Sequence, residues 1–339
     1  MAATVGAAVF AEAVAEGESI MRTYMKQSTI VPLLLLLGGG AFFGPARCNA
    51  ATPGGEGFPT ADAAARALVN AAKSNNVPEL IRILGPSGKE IVSTRDPVAD
   101  RKMRRTFAAR AEQKMRLIPY HGERNERVLL AGNDNWPLPI PIVEVNGKWY
   151  FDTAQGKQEI LMRRVGSNEL DAIQICRGYV EAQDDYGQQH HTAGGVPYYA
   201  QKIISSPGQQ DGLYWPVEAG QQQSPIGPLV AQAIAEGYQK GEPFHGYFFR
   251  ILTAEGPHAG SPMSYIDNGA MTKGFALIAW PADYGSTGIM TFMVDKTGIV
   301  YQKNLGPQTG KIAAGYTAYN PDSTWTPVSG EGANSSTTE

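Results

Sequence analysis

The sequence predicts an α+β protein with N-terminal helices packed on a curved antiparallel sheet, a helical and loop-rich middle, and a C-terminal antiparallel β meander. Three observations predict it. Helical periodicity dominates the first half, apolar strand-like runs flank Asn146-Gly147 and recur after residue 240, and 39 Gly with 23 Pro punctuate the elements. A chain of 339 residues that is 42% hydrophobic can bury substantial cores and has the length of about two domains. Its net charge of -3 lacks the domain-wide basic field that nucleic-acid binding needs.

Residues 1–50 read as a signal region. Arg22 and Lys26 form a basic start, 30–43 an apolar run, and Cys48-Asn49-Ala50 a small-x-Ala end, so cleavage is expected after Ala50. Pro32 and Gly38-Gly39-Gly40 interrupt the run, which is too short for a transmembrane helix of about 18 apolar residues. Glu12, Glu16 and Glu18 do not suit a basic leader, which makes Met21 the more natural start. Arg47 directly before Cys48 argues against lipidation of that cysteine. Cleavage leaves Cys176 as the sole cysteine, so no internal disulfide is available.

After a flexible lead-in at 51–57, an N-terminal α+β module is expected over 58–165. Thr60 caps a helix over 61–72, and a second helix at 78–84 stops at Gly85-Pro86. A third, over 98–115, carries Met103, Phe107, Ala111 and Met115 as one apolar stripe. Between Lys89 and Arg127 stand eleven basic and six acidic residues, an excess of +5 that reads as a solvated face or, functionally, as an anion-facing surface. Strands at 139–145 and 148–152 then pair across Asn146-Gly147, with Glu144 opposite Trp149 and Ile142 opposite Phe151.

A helical and loop-rich connector is expected over 166–240. Helices at 154–165 and 168–186 are separated by Gly166-Ser167, the second lined by Leu170, Ile173, Cys176 and Val180. Loops follow over 187–228, then a short helix at 229–239. The C-terminal sheet module, 241–328, has strands at 245–252, 274–280, 288–294 and 299–303. The tail, 329–339, has the composition of a disordered segment.

No Gly-x-Ser-x-Gly, His-Glu-x-x-His, Ser-x-x-Lys, Walker loop or Cys-x-x-Cys is present, and Gly285-Ser286-Thr287-Gly288 precedes a strand, as a turn does. Asp184, Asp185, His190 and His191 are the candidate metal ligands, but their spacing fits no recognised set. Neither a metal nor a cofactor is expected. The candidate ligand contacts are Tyr198, Tyr199, Asp211, Tyr214, Trp215 and Arg250: flat aromatic faces beside hydrogen-bonding groups suit a sugar or peptide groove, and equally suit loop packing.

A longer pattern resembles a known family. Phe151-Asp152-Thr153-Ala154, Tyr179-Val180-Glu181-Ala182-Gln183, Asp211-Gly212-Leu213-Tyr214-Trp215-Pro216 and Ser224-Pro225-Ile226-Gly227-Pro228-Leu229 appear in order. Gly246-Tyr247-Phe248-Phe249-Arg250-Ile251-Leu252, Gly274-Phe275-Ala276-Leu277-Ile278-Ala279-Trp280-Pro281 and Val300-Tyr301-Gln302-Lys303-Asn304-Leu305-Gly306 follow. Together they resemble the exported bacterial family known as domain of unknown function 2950. The resemblance implies a signal peptide and an extracytoplasmic location, and carries no catalytic residues.

The leading functional expectation is a periplasmic or secreted envelope protein that binds an envelope polymer or another envelope protein without catalysis. One alternative is a hydrolase or transferase acting on cell-wall material through Asp211, Tyr214 and Arg250. The other is a pilin-like assembly component, because Thr287-Gly288 and Thr297-Gly298 resemble the turns of a pilin-like β-domain.

Overall fold

The structure is a computed structural model that describes residues 54–120, 124–217, 223–227, 233, 238, 239 and 241–328. The export signal, most of the helix expected at 229–239 and the tail at 329–339 lie outside the described residues. The described residues divide into two compact units, one of 54–89 and 107–157, the other of 90–106 and 158–328. No helix among them is long and apolar enough to cross a membrane.

Helix α1 (Ala61–Lys73) starts where the Thr60 side chain accepts the Ala63 N–H at 3.1 Å, and its buried face of small and branched residues includes Ala64, Ala65 and Leu68. Helix α2 (Val77–Leu84) is capped by Asn76, carries Pro78 in its first turn, and ends at Gly85 with φ +72°. Helices α3 (Lys89–Val92) and α4 (Pro97–Gln113) follow. The α4 stripe is rotated from the expected one: Ala108 and Ala111 are buried and Phe107 half-buried, whereas Met103 is exposed.

The first unit's sheet comprises β1 (Met115–Pro119), β2 (Glu126–Ala131), β3 (Trp136–Pro137), β4 (Ile142–Val145) and β5 (Lys148–Phe151), in the order β1-β2-β4-β5 with β3 on β2. Asn146 and Gly147, with φ +53° and +76°, form the turn between β4 and β5 in the expected register. Strand β4 begins later than expected because Pro139 and Pro141 cannot donate to a ladder. Residues 54–57 are held rather than flexible: the Glu56 N–H donates to the Arg82 carbonyl at 3.1 Å, and Phe58 pairs with Trp149.

Helix α5 (Thr153–Gln189) runs 37 residues without a break, where two helices were expected. A helical glycine costs about 1 kcal/mol, and a buried aliphatic side chain returns about 1.5–3 kcal/mol. Leu161 and Val165 before Gly166, and Ala172, Ile173 and Cys176 after it, are buried, so packing overrides the local break. The deepest stripe is Ala172, Cys176, Tyr179, Gln183 and Tyr186, at heptad spacing, and Leu170 is exposed instead of buried.

Against this stripe lies the second unit's sheet. It comprises β6 (Tyr247–Leu252), β11 (Ala276–Pro281), β12 (Met290–Asp295), β13 (Tyr301–Asn304) and β14 (Thr326–Pro327), antiparallel throughout in the order β14-β13-β12-β11-β6. The four expected strands are present, and the two-residue β14 is an addition. Small ladders pair β7 (Ala254–Glu255) with β8 (Met263–Ser264), and β9 (Ile266–Asp267) with β10 (Ala270–Met271). Helix α6 (Thr309–Gly315) follows β13.

Segment 90–106, distant in sequence, is stitched to this unit by buried polar groups. The Arg164 guanidinium donates to the carbonyls of Glu90, at 2.9 Å, and Ile91. Asp96 accepts the Ala99 N–H, capping α4, and the Gly246 N–H, both at 2.8 Å. Asp283 accepts the Arg95 N–H at 2.8 Å. Burial raises the Asp100 pKa against the opposing effect of the Thr94 N–H, and burial lowers that of Arg164. Replacing Arg164 with Met should cost about 2–4 kcal/mol in a urea titration, since two carbonyls lose their donors; Arg164→Lys should restore part of it.

Candidate functional site

In the second unit, a pocket of about 310 Å³ is lined by Tyr186, Tyr198, Tyr199, Gln201, Lys202, Asp211, Gly269 and Ala270. Three stretches of chain meet there. Helix α5 supplies Tyr186, the loop after it supplies residues 198–211, and the β9–β10 turn supplies the backbone wall.

The loop is registered by Gln183, which is fully buried on α5. Its amide accepts the Ala200 N–H and donates to the Ala200 carbonyl, both at 2.8 Å, and it also donates to the Tyr179 hydroxyl at 3.0 Å. Tyr198 and Tyr199 are thereby set on opposite sides. Tyr198 meets Tyr186 and His190 edge to face, with centroids 6.0 and 5.8 Å apart; Tyr199 meets Phe275 at 4.7 Å. Gly187 makes room for Tyr199, because a Cβ there would sit 3.0 Å from its ring. The Tyr199 N–H donates to the Met271 carbonyl, adding this residue to the β9–β10 ladder. Asn268 and Gly269, with φ +49° and +83°, turn that hairpin, and Gln201 donates to the Gly269 carbonyl at 2.8 Å.

Asp211 closes the loop onto itself. It pairs with Lys202 at 2.6 Å and accepts both the N–H and the hydroxyl of Ser206. The Lys202 ammonium, then the Ser206 N–H, hold its carboxyl down to about 2. Burial pushes the Tyr186 and Tyr199 hydroxyls above the ordinary phenol range, helped by Tyr198 and Asp184 respectively.

The structure therefore brings Tyr198, Tyr199 and Asp211 together and disperses the other expected contacts. Trp215 is buried behind the pocket, edge-on to Tyr186 and His190. Tyr214 pairs through its backbone with Ile203 and Ser205 and is absent from the pocket lining. Arg250 donates to the carbonyls of Ala313, Ala314 and Tyr316 at the end of α6 and stacks over Trp280 at 5.5 Å. It serves as a helix C-cap. Asp184 and Asp185 are exposed on α5, His190 stacks on Tyr186 at 3.8 Å, and His191 bridges to Pro197. No three His, Cys, Asp or Glu among the described residues are placed to share a metal ion.

Tyr186, Gln201, Lys202, Gly269, Ala270 and the positioning residue Gln183 escaped the sequence reading. Asn268-Gly269 carries the same turn signal as Asn146-Gly147, but its flanking strands are two residues each. Three of the basic residues in 89–127 have partners within the chain: Arg110 faces Asp134 at 3.5 Å, Arg116 meets Asn135 at 3.1 Å, and Arg127 lies over Trp149.

Fold and site together define an α+β protein with a tyrosine-walled pocket built from the loops that follow its longest helix. The chain belongs to the family described as protein of unknown function (DUF2950), whose model matches residues 56–328. No curated protein and no solved structure matches it.

Gln183→Leu should destabilise the protein by about 2–3 kcal/mol, because the buried Ala200 N–H and carbonyl both lose their partners, and hydrogen exchange at Ala200 should accelerate. Asp211 has a folded-state pKa of about 2 against an unfolded value of ~3.9, so its contribution is complete above pH ~4 and lost as pH falls toward 2. The stability gap between wild type and Asp211→Asn should therefore narrow over that window in acid titration.

Proposed function

We propose that this chain is a non-enzymatic binding module of the bacterial envelope, exported by the signal at 21–50, cut after Ala50, and engaging an envelope polymer through the tyrosine-walled pocket. The observation that carries this reading is the pocket's lining, the rings of Tyr186, Tyr198 and Tyr199 beside a Lys202 and an Asp211 that bond each other. General acid–base work near neutrality needs a group whose pKa lies close to the operating pH. Here Asp211 is driven down to about 2, and the hydroxyls of Tyr186 and Tyr199 are driven up. Lys202 and Asp211 satisfy each other at 2.6 Å. The separate anchoring of Arg250 on α6 removes the guanidinium that a hydrolase built on Asp211, Tyr214 and Arg250 would use.

Pull-down with purified cell-wall polymers should retain wild type and lose most of Tyr198→Ala, with no product released; turnover abolished by a single polar substitution would overturn the reading. N-terminal sequencing of the mature protein should begin at Ala51, and an intact segment ahead of it would contradict export processing as stated.

A further inference from the structure

The pocket also carries information about the class of ligand, an inference that rests on its being a binding site. Part of its backbone is already bonded. The N–H groups of Tyr198 and Tyr199 donate to the His190 and Met271 carbonyls at 3.0 and 2.8 Å, and the Gly269 carbonyl accepts from Gln201. An extended peptide is gripped chiefly through main-chain hydrogen bonds to a free edge, and these three groups are already used.

Charge narrows the class further. A ligand with a net charge would compete with the Lys202–Asp211 pair and with the two Ser206 bonds that close the loop. A hydroxyl need not. A carboxylate offers about four lone-pair positions and an ammonium three donors, so the Lys202–Asp211–Ser206 set retains an acceptor position and one N–H beyond its internal bonds. A hydroxyl, both donor and acceptor, fits that pair without breaking it. The Gln201 amide donates through its nitrogen to Gly269, which leaves its oxygen as a further acceptor.

The remaining lining is aromatic or small and apolar: Tyr186, Tyr198, Tyr199, Gly269 and Ala270. A pyranose ring presents an apolar C–H face for stacking and a rim of hydroxyls, which is the complement of this lining. At about 310 Å³ the volume stands at the lower end of the ~300–1,000 Å³ of small-ligand sites, the scale of a short saccharide. We propose that the pocket binds a neutral saccharide unit of an envelope glycan, stacked against Tyr198 or Tyr199, with hydroxyls held by Asp211, Lys202 and the Gln201 amide oxygen.

Isothermal titration and saturation-transfer NMR on the mature chain, with N,N′-diacetylchitobiose, maltose and tri-alanine as probes, test the assignment. At least one disaccharide should bind, with no tri-alanine signal, and Tyr198→Ala and Asp211→Asn should each weaken it about tenfold, a change of ~1.4 kcal/mol. Gln201→Ala, at an exposed position, should weaken it several-fold and guards against a folding defect in the other two. Binding of tri-alanine with neither sugar bound overturns the saccharide class and leaves the binding module standing. Hydrolysis of a bound sugar overturns the non-catalytic reading and leaves the saccharide class standing. Silence from all three probes overturns the saccharide assignment, as does sugar binding unaffected by all three substitutions.

Discussion

The pocket depends on one reciprocal pair of hydrogen bonds, between the Gln183 amide and the backbone of Ala200. Burying an amide without partners costs roughly 2–7 kcal/mol, so a glutamine at the centre of a buried helical stripe is tolerable only if fully bonded. Ala200 satisfies it in both directions, and Tyr179 takes a further contact. The price is a fixed register. With Ala200 held against α5, Tyr198 must turn toward Tyr186 and His190, while Tyr199 must lie over Gly187 and meet Phe275. Shifting the loop by one residue would unpair the amide and exchange the two tyrosines, so the pocket and the core are specified by the same contact.

Arg164 plays the corresponding part nineteen residues earlier on the same helix, about 28 Å along its axis at 1.5 Å per residue. A buried guanidinium is costly unless its donors are used. Two of its nitrogens meet the carbonyls of Glu90 and Ile91, which draws segment 90–106 into the second unit despite the intervening sheet in the sequence. Asp96 and Asp283 extend the stitching to Gly246 and Arg95. Polar anchors on either side of Gly166 also explain why α5 continues through it. A bend there would move Arg164 or Gln183 off partners that neither can replace in a dry interior.

Signals that are local in sequence were legible. Asn146-Gly147 announced its hairpin and register, Thr60 its helix, and the apolar runs after residue 240 their four strands. What escaped was decided by tertiary contacts. Gly166-Ser167 looks like a break, yet burial on either side of it outweighs one glycine. Leu170 looks like core, but the stripe that meets the sheet runs through Tyr179 and Tyr186, whose long side chains reach where Leu170 does not point. Of the candidate site, Tyr198, Tyr199 and Asp211 were visible because aromatics and a carboxylate cluster within one loop. Lys202 and Gln201 lie in that loop too, but acquire a role only once Asp211 and Gly269 are brought beside them. Arg250 is the converse: a lone mid-strand arginine can be counted among candidate ligand contacts until the end of α6 is seen to need a cap.

The same bonds that shape the loop also set what the pocket can do. Lys202 and Ser206 hold Asp211 further into its ionised form, and those contacts are what close the 202–211 loop; a carboxylate freed from them would open the wall it builds. The tyrosine hydroxyls are kept protonated by the burial that lets their rings pack. The bonds that shape the loop and the burial of the rings thus move these groups further from the neutral range. A lining whose carboxylate is ionised and whose buried hydroxyls stay protonated keeps one charge state across that range.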